Sequence, residues 1–212
     1  MADQCCSAKA KELEALASRH DQRRVLIAVL VINALMFAIE FGAGLAAGSS
    51  ALMADSVDNL GDAVVYALSL FALARGPRWE AAAALTKGMI ILAFGLAVLV
   101  ELGVKIAYGV PPSSTLMLIF GALALVANLS CLAMLWRFRS LNVNMSSTFE
   151  CSRNDVISNL GVLAAAGLVA ATASAWPDIL VGAAIALLFL RSALRVLREA
   201  WPAWQKAAPD HV

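Results

Sequence analysis

Six long apolar stretches dominate this chain, at about 24–47, 50–74, 84–108, 114–136, 146–172 and 178–198 of its 212 residues. A helix needs roughly 20 such residues to cross a bilayer. The sequence therefore predicts an all-α membrane protein with six transmembrane helices. Turn-forming residues separate the stretches, as in Gly48-Ser49-Ser50, Arg75-Gly76-Pro77-Arg78, Pro111-Pro112-Ser113-Ser114 and Ser174-Ala175-Trp176-Pro177. Composition points the same way: 61% of residues are hydrophobic and 15% charged, against about 45–50% and 25% in soluble domains. A soluble enzyme, a nucleic-acid binder and a disordered scaffold are excluded on that ground. A net charge of +1 gives no field that would gather a polyanion.

Basic residues set the expected orientation. Lys9, Lys11, Arg19, Arg23 and Arg24 precede the first span. Arg75, Arg78 and Lys87 follow the second, Arg137 and Arg139 the fourth, and Arg191, Arg195, Arg198 and Lys206 lie at or beyond the sixth. The opposite side offers Lys105, near the end of the third span. Positive charge stays inside, so both termini are expected in the cytoplasm. The expected organisation is a charged N-terminal segment at 1–23, a transport domain at 24–200 and a short cytoplasmic tail at 201–212. The N-terminal segment reads as an amphipathic helix and lacks the short apolar core and cleavage site of a signal peptide. The four cysteines, Cys5, Cys6, Cys131 and Cys151, make no disulfide framework. Cys131 reads as a small core residue, and Cys5-Cys6 as either a soft-metal trap or idle tail thiols.

Charge inside a span is costly and marks function by default. The second span carries Asp55, Asp58 and Asp62; the fifth carries Glu150, Cys151, Arg153 and Asp155; the first has Asn33 and Glu40. Asp58 and Asp62 stand four residues apart, as do Cys151 and Asp155. Each pair thus projects from one helix face with Cβ atoms about 5–6 Å apart. Packed face to face, the two helices would offer three carboxylates and a thiol, the four ligands of a tetrahedral divalent site. Arg153 is expected to pair with Glu150 at three residues' distance, and one arginine cannot offset so many acids. Asp55 fits helix packing or a mouth position as well as a ligand. Glu101 and Lys105 read as an interfacial pair whose lysine snorkels to the surface, and His20 as a solvated residue.

The run Asn33…Glu40…Gly44…Ser50-Ala51-Leu52…Ala54-Asp55…Asp58…Asp62 resembles the first two helices of the cation diffusion facilitator family. In the fifth helix, Cys151…Asp155 followed by Ser158-Asn159-Leu160-Gly161-Val162 is similar to that family's H-x3-D…S-x-G-V. Pro111-Pro112, Asn128 and Trp176-Pro177-Asp178 add to the likeness, which runs over about residues 24–200. Three positions depart from it. Asp58 stands where histidine is frequent, Cys151 stands where histidine is expected, and the cytoplasmic ferredoxin-like domain typical of the family is expected to be absent.

The resemblance implies export of a divalent metal from the cytoplasm in exchange for protons, by a homodimer in a bacterial inner membrane. Membrane helices, the third and sixth among them, would hold that dimer. No enzymatic activity, cofactor or nucleic-acid partner is expected; the metal is cargo. The residues reach the same exchange by themselves. Three carboxylates in a low-dielectric cavity need about two charges of metal or the equivalent in protons, and ligands must lose protons to bind metal. A thiolate at Cys151 favours Zn²⁺ first and Cd²⁺ second over Mg²⁺, Ca²⁺ and Mn²⁺. Two rivals use the same residues: a membrane metal sensor or assembly subunit without transport, and an intramembrane aspartyl protease. The protease's usual G-x-G-D is missing, since Asn59-Leu60-Gly61-Asp62 lacks the first glycine.

Overall fold

The computed structural model describes residues 2–72, 77–140 and 143–206; side chains at 2–19, 65, 68–72, 77–80, 83, 87 and 143–148 are outside the description. Cys5, Cys6, Arg75, Arg78 and Lys87 therefore lie outside the described side chains. Six helices follow one another: α1 (Ala2–Ala47), α2 (Ser50–Ala72), α3 (Pro77–Tyr108), α4 (Ser114–Trp136), α5 (Val143–Thr172) and α6 (Trp176–Lys206). Five contain segments long and apolar enough to cross a membrane: His20–Ala47, Ala84–Tyr108, Ser114–Trp136, Phe149–Thr172 and Trp176–Lys206. The chain is a multi-pass membrane protein. α2 has 23 residues, yet no spanning-length stretch of it avoids Asp55, Asp58 and Asp62. It keeps those acids by sitting inside the bundle, against α1, α3, α4, α5 and α6. Every residue from Ala51 to Val57 is buried.

Two apolar clusters hold the helices together. The larger joins α2, α3, α5 and α6 through Leu52, Val57, Val98, Val162 and Ile185. The smaller gathers Val29, Tyr66, Cys131, Leu135, Phe138 and Phe149 between α1, α2, α4 and α5. Cys131 is a buried core residue, as its sequence setting suggested. Outward faces carry large apolar side chains, among them Leu35, Val100, Val126 and Leu187, as lipid requires of a spanning helix. α1 continues from the N-terminal segment into the span without a break, and α6 runs through Pro202 to Lys206. The helical boundaries thus extend beyond the apolar stretches at 84, 146 and 198.

One end of the bundle is tightly joined. α1 stops at Gly48, whose φ of 61° suits glycine. The Ser49 amide bonds to the Gly44 carbonyl at 2.9 Å and the Gly48 amide to Leu45 at 3.3 Å, a Schellman stop. Ser49 then caps α2, its hydroxyl accepting from the Leu52 amide at 3.2 Å. Asp178, at the start of α6, reaches across to the same helix start. It accepts from the Ser49 hydroxyl at 2.5 Å, the Ser50 amide at 2.9 Å and the Ala51 amide at 3.2 Å. A carboxylate there complements the positive end of the α2 dipole. Gly182 lets α6 approach: a Cβ on it would meet the Ser50 carbonyl carbon at 2.8 Å.

Lys105 corrects the sequence reading. It does not snorkel. Its ammonium lies 2.6 Å from Asp178 Oδ2 and also donates to the Gly48 carbonyl, and its side chain is 6% exposed. Glu101 instead accepts from the Ser50 hydroxyl. A buried acid on the neighbouring helix, invisible to the spacing within α3, supplies the charge that keeps the lysine inside.

Candidate metal centre

Asp58 and Asp62 lie about 12 and 18 Å along α2 from Ser50 at a helical rise of ~1.5 Å per residue. Their four-residue spacing stacks them on one face. Cys151 and Asp155 stack likewise on α5. These four residues line one cavity of about 400 Å³, together with Asn154, Ser158 and Ser192 and an apolar wall that includes Ile91, Ile185, Leu188 and Phe189. Asp62 and Asp155 are buried, Asp58 is half-buried and Cys151 is exposed. Asp155 lies within electrostatic reach of both Asp58 and Asp62. No lysine, arginine or histidine is among the cavity's described lining residues. The three carboxylates thus share a partly apolar space without a basic residue in its described wall.

The four side chains share the walls without closing on a point. Among the described residues, no three His, Cys, Asp or Glu side chains are drawn together closely enough to hold a metal ion as they stand. Arg153 is no counter-charge for them: it pairs with Glu150 at 2.5 Å, and the two side chains are 53% and 48% exposed. That is the pairing expected from their spacing.

Asp55 resolves toward packing. It is 1% exposed and accepts from the Asn159 amide, while Asn128 donates to the Asn159 carbonyl oxygen at 2.9 Å. Glu40, also fully buried, accepts from the Asn59 amide at 2.6 Å. These groups join α1, α2, α4 and α5 in a polar layer one turn beyond the cavity. Neither Glu40 nor Asp55 lines that cavity. Asn33 is buried with its amide on the Val29 carbonyl at 2.9 Å, and His20 is exposed.

A residue the sequence reading passed over is Tyr66. Its hydroxyl donates to Asp62 Oδ2 at 2.9 Å, and it is 2% exposed. The signal was present: Asp58, Asp62 and Tyr66 repeat at four-residue steps on one helix face. A single tyrosine near a helix end is ordinarily an apolar packing residue, which hid it.

The helices and the acidic cavity between α2 and α5 make this a polytopic α-helical membrane protein. Within it, the profile of the cation efflux transmembrane domain matches residues 26–203, and the chain belongs to that family. Members of that family are transporters, which speaks against the protease reading. The chain is 26% identical over 201 residues to the metal cation efflux system protein CzcD of Cupriavidus metallidurans, covering 86% of this chain and 63% of that relative. The cation efflux system protein CzcD of an Alcaligenes species matches with the same identity and shares. The chain thus spans less than two thirds of the length of these curated relatives.

Proposed function

We propose that this protein carries a divalent metal cation out of the cytoplasm in exchange for protons, with Zn²⁺ the preferred cargo and Cd²⁺ the second. Asp58, Asp62, Cys151 and Asp155 are the ligands. The observation that carries this reading is their shared cavity: two i,i+4 pairs from separate helices line one space whose described wall has no basic residue. Three carboxylates there call for about two positive charges of metal, or for protons in its place. The thiol softens the ligand set toward Zn²⁺ and Cd²⁺. Binding draws the Asp58, Cys151 and Asp155 side chains across the cavity toward Asp62, because a four-coordinate ion needs ligands at about 2.0–2.3 Å.

Transport proceeds by alternating access to this one site. Metal enters from the cytoplasmic side and displaces protons; protons from the far side release it. Family membership and the efflux-system relatives support the direction of movement. The arginines at the α4 terminus and along α6 support cytoplasmic termini by the positive-inside rule. The protein works as a homodimer held by membrane helices in a bacterial inner membrane, with the outward apolar faces of α3 and α6 as contact surfaces. Purified protein in proteoliposomes, with a pH-sensitive dye trapped inside, tests the function. Zn²⁺ uptake accompanied by proton release from the lumen is expected. Zn²⁺ binding without flux would favour the sensor or assembly-subunit reading.

A further inference from the structure

Tyr66 sits one turn beyond Asp62 on the same face of α2 and is not among the residues that line the cavity. Its ring is clamped in the smaller apolar cluster, among Val29, Cys131, Leu135 and Phe149. A buried hydroxyl without a partner is costly, and here the hydroxyl's partner is Asp62 Oδ2 at 2.9 Å. Tyrosine has few rotatable bonds, and this ring has packing on its sides, so the hydroxyl is a fixed donor. The carboxylate it holds is correspondingly fixed. Groups that hold metal ligands in this way tune affinity as well as orientation.

We propose that Tyr66 is a positioning residue that sets metal specificity, holding Oδ2 of Asp62 so that the carboxylate meets the ion through Oδ1 alone. This rests on the reading of Asp62 as a ligand. One-oxygen coordination suits a small four-coordinate ion such as Zn²⁺. Ions that take six or more oxygens gain from two-oxygen carboxylates, Ca²⁺ above all, and Mn²⁺ prefers an octahedral oxygen shell. Without the tyrosine hydroxyl, Asp62 can turn both oxygens to the ion. Coordination number is then no longer capped at this position.

The test is equilibrium metal binding to purified full-length protein in detergent, titrating Zn²⁺ alone and in competition with Mn²⁺. Tyr66→Phe keeps the ring and removes one oxygen. Tyr66→Met fills the same space without a hydroxyl and provides a second variant should the first insert poorly. Zn²⁺ affinity is expected to fall about ten-fold or more, within the range for groups that hold metal ligands, while Mn²⁺ affinity holds or rises. The Mn²⁺/Zn²⁺ preference therefore shifts toward Mn²⁺. A merely structural role would weaken both ions alike. An equal loss for both ions, or unchanged affinities, overturns the proposal. Asp62→Ala separates the two levels. If it leaves Zn²⁺ affinity at the wild-type value, the site reading fails; if it removes binding while Tyr66→Phe changes nothing, only the tyrosine's role fails.

Discussion

Two buried acidic regions of this bundle are built on opposite plans. At the α1–α2 joint, Asp178 has Lys105 at 2.6 Å and three further donors from Ser49, Ser50 and Ala51. Its charge is neutralised in place, and the three helices it ties cannot separate without exposing an unpaired ion. In the cavity between α2 and α5, Asp58, Asp62 and Asp155 gather with no basic residue in the described wall. The same residue type thus serves as a structural tie where a lysine answers it. Asp58, Asp62 and Asp155, which line a cavity with no basic residue in its described wall, are the set we propose to take up a cation. A buried aspartate is thus informative through its partners, not through its burial.

The largest effect expected from breaking this contrast is in the cavity. Asp58→Ala, Asp62→Ala and Asp155→Ala should each abolish Zn²⁺ flux in proteoliposomes while the protein still inserts and purifies. Each removes a charge that offsets the cation. Wild-type flux from any one of them excludes that residue, and wild-type flux from two removes the site.

At the joint, substitutions should cost stability. Lys105→Met leaves Asp178 without its cation and should destabilise the protein by about 3–5 kcal/mol, as for other broken buried pairs. The double change Lys105→Met/Asp178→Asn should cost less than the single one. Thermal unfolding in detergent measures both, and a changed Zn²⁺/Cd²⁺ preference in either would blur the distinction between tie and site. Gly182→Ala should follow at about 1–3 kcal/mol, the ordinary range for overpacking, because its Cβ would lie 2.8 Å from the α2 backbone. The smallest effect belongs to Arg153→Ala. Its pairing with Glu150 is half-exposed, and such pairs contribute about 0–1 kcal/mol, so stability and flux should stay near wild type.

Much of this arrangement was legible in the residues. Apolar length gave the helices, and the two i,i+4 pairs gave the cavity, because helical periodicity fixes which side chains share a face. What periodicity cannot give is which faces of different helices meet. Lys105 looked like a surface residue because its partner, Asp178, is 73 positions away. Asp55 reads in sequence as either a ligand or a packing residue because Asn159, whose amide it accepts from, is 104 positions along. Tyr66 was missed for another reason: an apolar ring with one polar atom gives no sequence sign of whether that atom has work. The helix ends ran past the apolar stretches because a helix continues into water wherever no glycine or proline turn stops it.

We propose that Asp58, Asp62, Asp155 and Cys151 close together on one ion, and X-ray absorption at the zinc edge reads that ligand shell. Protein with Cys5 and Cys6 replaced by serine, loaded with one equivalent of Zn²⁺, should show a single sulfur neighbour at about 2.3 Å and oxygens at about 2.0–2.2 Å. Adding Cys151→Ser should erase the sulfur shell and leave the oxygens. A shell without sulfur, unchanged by that substitution, would contradict the account.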